Sequence, residues 1–147
     1  TGFKTKGLFR RESASKNIRP DRSARFYLVY GEWRLMSTLY KSVGFDLTTT
    51  ARTTVYTCPA ETETIMKSIQ TVNYGGSNVD LEVFVNKSGT DYDIAHHTVG
   101  SKVSLNAVDS TIVLEEGDIL KLEAQTANAI SGLVSFLEVR SDTKNPI

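Results

Sequence analysis

Residues 79–86, VDLEVFVN, decide the class of fold. Successive side chains of a β-strand point to opposite faces, so Leu81, Val83 and Val85 fall on one side of an extended chain. The residues between them, including Phe84, fall on the other side. This alternation with a period of two predicts a strand with one face on a hydrophobic core.

The same signal continues through the rest of the chain from residue 45. The stretches rich in Val, Ile, Thr, Phe and Tyr are residues 53–58, 64–74, 79–86, 92–97, 102–108, 111–114, 118–126 and 130–139. Clusters of Gly, Pro, Ser, Asn and Asp separate these stretches and are typical of turns. About eight short strands without a helix between them predict an all-β, antiparallel β-sandwich or jelly roll.

The first 44 residues differ from the others in charge. They contain ten Lys and Arg against three Asp and Glu, whereas residues 45–147 contain seven against fourteen, so charges of +7 and −7 cancel. We therefore divide the chain into a basic N-terminal arm with a hairpin, residues 1–44, and a β-sandwich domain, residues 45–147.

Two segments make up the N-terminal part. Residues 1–25 have few apolar side chains and no sustained period, which predicts an extended arm without a core of its own. Residues 26–30 and 33–40 are strand-like and predict a hairpin, which must lean on the body or on another subunit. Helix is the alternative for residues 32–41.

The arm has the residue types of an attachment segment. Arginine pairs with carboxylates and stacks on rings, and spaced aromatic and aliphatic side chains act as anchors on a partner's surface. We predict an assembly interface formed by Phe3, Leu8, Phe9, Arg10, Arg11, Ile18, Arg19, Arg22, Arg25 and Trp33. Nucleic acid is a less favoured partner, because the aromatic residues have aliphatic neighbours, as in packed strands. No apolar stretch is long enough to predict a membrane helix.

No motif predicts an enzyme, a cofactor site or a metal site. His96 and His97 are adjacent and would point to opposite faces of a strand, and no Cys, third His or Glu stands at a ligand spacing near them. The acidic turns around Gly117 and at Asp91 and Asp93 lack the spacing of a calcium loop. Cys58 is the only cysteine, so no internal disulfide forms, as expected for a protein made in a reducing cytoplasm. It is predicted to be buried and unreactive.

An ordered series of motifs resembles a class of tailed-bacteriophage virion proteins. The series comprises TTVYTCPAE at 53–61 followed by IMKSI at 65–69, VFVNKSG at 83–89, VLEEGDIL at 113–120, and TANA at 126–129. The similarity covers about residues 53–139. Cys58 departs from the aliphatic residue more common at its position, and the basic arm lies outside the shared pattern.

The resemblance implies a structural component of a phage particle. We expect a head decoration or cement protein, or a neck or tail accessory, that is made in the host cytoplasm and resides in the virion. Its expected partners are other virion proteins, such as the major capsid protein, portal or neck proteins and tail subunits, and further copies of itself in a trimer or ring. The alternative is a carbohydrate-binding sandwich used in host attachment, with Tyr74 and Tyr92 as the aromatic residues in loops.

Overall fold

The computed structural model describes residues 25–29 and 32–142, with side chains described from Met36 to Arg140. The described ranges form ten strands: β1 (Arg25–Val29), β2 (Glu32–Leu47), β3 (Thr53–Thr57), β4 (Thr62–Asn73), β5 (Val79–Lys87), β6 (Thr90–Val99), β7 (Ser104–Asn106), β8 (Ile112–Leu114), β9 (Ile119–Ala124) and β10 (Ile130–Asp142). No helix within these ranges is long and apolar enough to cross a lipid bilayer. The prediction of an all-β fold is confirmed.

The strands form two antiparallel sheets. Sheet A has the order β1-β2-β10-β4-β7, with β8 also paired to β4, and sheet B has the order β3-β9-β5-β6. The chain crosses repeatedly between the sheets, so apart from the pairs β1–β2 and β5–β6, neighbouring strands are not consecutive in the sequence. This strand order is that of a jelly-roll sandwich with β1 added at one edge.

The predicted hairpin is present, and strand is the correct assignment for residues 32–41. β1 pairs with the start of β2, placing Arg25 opposite Met36. β2 then continues through residue 44 to Leu47 and pairs along β10 from Leu35 onward. The hairpin thus leans on the body of its own chain. The division into residues 1–44 and 45–147 stays a prediction.

The core lies between the inner faces of the two sheets. Leu81, Val83 and Val85 from β5 are buried there, as their alternation predicts, together with Leu120 and Leu122 from β9. Burial of a side chain of this size contributes about 1.5–3 kcal/mol each. β5 continues into β6 through a tight turn in which Ser88 has a φ of 53° and Gly89 a φ of 88°. Positive φ at both central residues is the geometry of a two-residue hairpin turn.

Phe84 is the exception to the two-sided pattern. It belongs to the outer side of β5, yet it is 5% exposed. The guanidinium carbon of Arg52 lies 3.5 Å from its ring centroid and covers it. A cation over an aromatic face is attractive, so a long-range contact hides an apolar side chain that the local pattern places in solvent.

Candidate functional site

Most of the predicted attachment residues fall outside the described part of the chain. Phe3, Leu8, Phe9, Arg10, Arg11, Ile18, Arg19 and Arg22 lie outside the described residues. Arg25 lies in β1 and Trp33 in β2, but their side chains are outside the described part too. The prediction that these residues form an interface therefore stays a prediction.

A buried carboxylate lies at one end of the core. Glu138 in β10 is 1% exposed, and its Oε2 accepts a hydrogen bond of 2.5 Å from the Tyr56 hydroxyl. Its Oε1 lies 3.0 Å from Nζ of Lys41 without a hydrogen-bonding direction between them. Burial raises the pKa of Glu138, but the hydrogen bond from Tyr56 and the charge of Lys41 outweigh it, so the pKa lies below its ordinary value. Glu138 is buried and Lys41 is half exposed, and with Tyr56 they connect β10, β2 and β3.

Cys58 is buried, as predicted. It is 2% exposed, and its Sγ donates to the carbonyl oxygen of Thr62 at 3.2 Å. Burial raises the pKa of its thiol, which disfavours the reactive thiolate.

The two histidines have separate surroundings. His97 Nε2 donates to the carbonyl oxygen of Ala107 at 2.9 Å, while His96 Nε2 lies 2.6 Å from Asp93 Oδ2 and 3.6 Å from Glu82 Oε2. The hydrogen bond with Asp93 raises the pKa of His96.

Glu82, His96 and Asp93 together present three possible metal-ligand atoms within 4.8 Å of one another. Glu82 is not predicted near His96 from sequence spacing, because it reaches His96 across the β5–β6 pairing. The contacts within this group are those of an exposed ion pair. The expectation of no metal site stays a prediction.

The acidic turns are held by side chains and backbone of the same chain. The Asp118 carboxylate accepts hydrogen bonds from Nζ of Lys87 and from the backbone N–H of Glu115. The bond from Glu115 closes the turn in which Asp118 lies. Asp91 accepts from Asn86 Nδ2 at 2.5 Å, Arg52 Nη1 at 2.9 Å and Lys121 Nζ at 3.0 Å. These three donors, with Asn86 the largest contributor, hold the pKa of Asp91 well below its usual range. Asp91 is thus the centre of a polar network on the outer face of sheet B.

The outer face of sheet A carries a row of apolar side chains. Tyr40 pairs with Leu137, Leu137 with Ile65, and Ile65 with Val113, so the four residues lie side by side across β2, β10, β4 and β8. Tyr40 is 83% exposed and Val113 is 53% exposed. We call these four residues the apolar row. Directly opposed residues in a sheet have touching side chains, so the row is a continuous apolar surface.

The two sides of the apolar row carry opposite charges. On one side lies a depression of about 370 Å³, lined by Glu61, Glu63, Glu115 and Glu116 with Met36 and Val139. On the other side lies a shallow depression of about 530 Å³, lined by Tyr40, Lys41, Ser42, Lys67, Ser135 and Phe136. Lys41 is paired with Glu138, so among the described side chains Lys67 supplies the positive charge of this depression. We call these the acidic and the basic depression.

An irregularity in β4 places Lys67 on the basic side. The pairing of β4 with β10 passes from Ser68 opposite Ser135 to Met66 opposite Phe136, so Lys67 is the extra residue of a β-bulge. Bulges redirect side chains and are frequent at functional surfaces. Within residues 36–140, Lys67 and Glu63 form no ion pair with another side chain.

The apolar row is the surface feature that the sequence does not predict. Tyr40 and Ile65 are recognisable as strand residues, but the row forms only when four strands from distant parts of the chain pair in one register. Of the two tyrosines predicted to lie in loops, Tyr74 does and Tyr92 does not, because Tyr92 belongs to β6. Tyr74 follows β4, is 40% exposed and donates its hydroxyl to Asp46 Oδ1 at 3.0 Å, whereas Tyr92 lies in β6 and is 54% exposed.

Comparison with known proteins does not assign the chain to a family. No protein-family model and no curated protein matches it. Solved structures similar to it include a Bacillus endospore appendage from a family of disulfide-linked pili, at 12% identity, covering 85% of this chain and 97% of that chain with a TM-score of 0.49.

Two further structures are similar at lower scores. A virus-like particle of extra small virus of the giant freshwater prawn Macrobrachium rosenbergii matches at 8% identity, covering 86% of this chain and 88% of that chain, with a TM-score of 0.41. Eiger TNF from S. frugiperda matches at 10% identity, with coverage of 84% and 95% and a TM-score of 0.35. All three TM-scores are below 0.5, so these similarities carry no argument about function.

Proposed function

We propose that the chain is a non-enzymatic structural subunit of a tailed-phage particle, whose work is to bind other protein subunits. The apolar row is the observation that carries this proposal. Tyr40 at 83% exposed and Val113 at 53% exposed belong to one row with Leu137 and Ile65 on the outer face of sheet A. Contiguous exposed apolar surface with charged margins is typical of a protein–protein contact.

The charge of the chain supports the same proposal. A basic N-terminal part of +7 and an acidic remainder of −7 suit attachment of the arm to acidic protein surfaces. The series of motifs over residues 53–139 that resembles phage virion proteins supplies the setting, a phage particle. A head decoration or cement protein and a neck or tail accessory are the two positions that this setting offers.

Copy number in purified particles tests the proposal. Phage particles are purified by density gradient, and the chain is quantified by mass spectrometry against the major capsid protein. Hundreds of copies support head decoration, and a small fixed number supports the neck or tail. A chain that is abundant in the lysate and missing from the particles refutes the proposal.

A deletion variant tests whether the arm, and not the sandwich, attaches the chain to particles. Deletion of residues 1–24, which precede β1, is expected to leave a folded sandwich with an unchanged β-sheet circular dichroism spectrum. The proposal expects this variant to fail to join particles. Normal incorporation of the deletion variant contradicts attachment through the arm.

A further inference from the structure

We propose that the outer face of sheet A binds a second copy of the same chain, related by a two-fold axis that runs along the apolar row. This inference rests on the proposed function and goes beyond it by naming the surface and the orientation of a second copy. It replaces the trimer or ring expected from the sequence by a two-fold dimer. A two-fold contact uses the same patch on both copies, so the patch must complement itself in shape and in charge. The outer face of sheet A has both properties.

The first property is an apolar centre with a large aromatic side chain. Tyr40 has the residue type that dominates binding energy in protein interfaces, and it lies on the face with 83% of its surface exposed. Leu137, Ile65 and Val113 continue the row across three more strands. Two copies of this row, placed one on the other, exclude water from all eight side chains.

The second property is the available area. The three long strands β2, β10 and β4, at about 4.8 Å spacing and over twelve residues at about 3.3 Å each, give roughly 570 Å², and the short strands β7 and β8 add about 100 Å². Stable interfaces of standard size bury about 600–1,000 Å² on each partner. The face therefore lies in the lower part of the size range of a specific dimer.

The third property fixes the orientation of the second copy. The acidic depression with Glu63 and the basic depression with Lys67 lie on opposite sides of the row. A two-fold axis along the row exchanges the two sides, so that Glu63 of one copy faces Lys67 of the other, twice in the dimer. A two-fold axis parallel to the strands would instead place the acidic depression of one copy opposite the acidic depression of the other, and the basic depression opposite the basic depression. Like charges in direct opposition cost several kcal/mol, so the axis along the row is favoured.

Charge reversal tests this orientation. The full chain is studied by sedimentation velocity as wild type, as Glu63→Lys, as Lys67→Glu, and as an equimolar mixture of the two variants. The wild type is expected at twice the monomer mass of 16.2 kDa. Each variant alone places two pairs of like charges together and is expected to bind itself at least about 100-fold more weakly. The mixture restores both opposite pairs and is expected to form a mixed dimer with nearly wild-type affinity.

Controls keep loss of folding apart from loss of binding. Glu82→Lys, in β5 of sheet B, makes the same charge change on the other sheet and is expected to leave the dimer intact. Recovery of the dimer in the mixture also shows that both variants are folded. A trimer mass or larger ring for the wild type, dimers of either variant alone, or a mixture that stays monomeric overturns the proposal.

A monomeric wild type has two readings that further measurements separate. If the chain without residues 1–24 dimerises, the arm covers the face within its own chain, and the proposed dimer is overturned. If the chain is monomeric in both forms but present in purified particles, the dimer is overturned while the proposed function stands. A chain that neither dimerises nor enters particles refutes both.

Discussion

Gly132 is the residue at which the sheet tolerates least change. A Cβ at this position would lie 2.1 Å from the carbonyl oxygen of Gln70 and 2.8 Å from Cζ of Phe45. Glycine has no Cβ, so the ring of Phe45 and the backbone of β4 can come this close to β10 only where β10 has a glycine. Gly132 thus sets the distance between three neighbouring strands.

Gly132→Ala is expected to lower the free energy of unfolding by about 1–3 kcal/mol, the usual cost of overpacking. Gly44→Ala is the matched control, because its nearest neighbour would be the carbonyl oxygen of Gly132 at 3.8 Å. Urea denaturation of both variants measures the difference. Equal stability of the two variants contradicts the close packing at Gly132.

The lowered pKa of Asp91 makes the free energy of unfolding depend on pH. Its pKa is lowered by Asn86, Arg52 and Lys121, so the folded state binds the proton less tightly than the unfolded chain. The stabilisation is complete above the unfolded pKa of about 3.9 and is lost as the pH falls toward the lower folded pKa. The pKa of Glu138 is lowered as well, and its stabilisation is lost in the same direction.

Asp91→Asn is therefore expected to flatten the fall in unfolding free energy between about pH 5 and pH 2. Asp109→Asn, in the exposed loop between β7 and β8, is expected to keep the wild-type slope. Urea midpoints measured at half-unit pH intervals show the slopes. An unchanged slope in Asp91→Asn indicates that the network around Asp91 does not stabilise the fold.

Strands were predictable from the sequence to the extent that their pattern is local. The alternation in β5 identifies its inner face correctly, because apolar and polar side chains alternate along a strand that has one buried face. The length of β2 was not predictable beyond residue 40. Its last part is stabilised by pairing with β10, which lies more than eighty residues later in the chain.

The surface was less predictable than the core for the same reason. Phe84 is covered by Arg52, and His96 meets Glu82, through contacts between different strands. The apolar row requires the register of four strands at once. Local periodicity reports which way a side chain points, but not which other side chains share its face.

Two apolar residues on different sheets separate the effects on folding from the effects on association. Leu122 in β9 is fully buried, and Leu122→Ala is expected to cost about 2–5 kcal/mol of stability through the cavity that it leaves. Val113 in β8 is 53% exposed, and Val113→Ala is expected to change stability by less than about 0.5 kcal/mol. Thermal denaturation below the dimer dissociation concentration gives both values. A large loss of stability in Val113→Ala contradicts its assignment to a contact surface.

At the scale of the molecule, the two sheets have different outer faces. The outer face of sheet B carries contacts within the chain, with Arg52 over Phe84 and a network of charges around Asp91. The outer face of sheet A presents the apolar row between two depressions of opposite charge. This asymmetry suits a subunit that keeps one face toward solvent and uses the other to bind protein.

Hydroxyl-radical footprinting tests most directly whether the outer face of sheet A is covered in the assembled state. Labelling of Tyr40 is compared between the dilute chain and the assembled form, with Tyr92 in sheet B, 54% exposed, as the internal reference. If the face is covered by a partner, we expect labelling of Tyr40 to fall at least severalfold on assembly while labelling of Tyr92 stays constant. Equal labelling of Tyr40 in both states would contradict it.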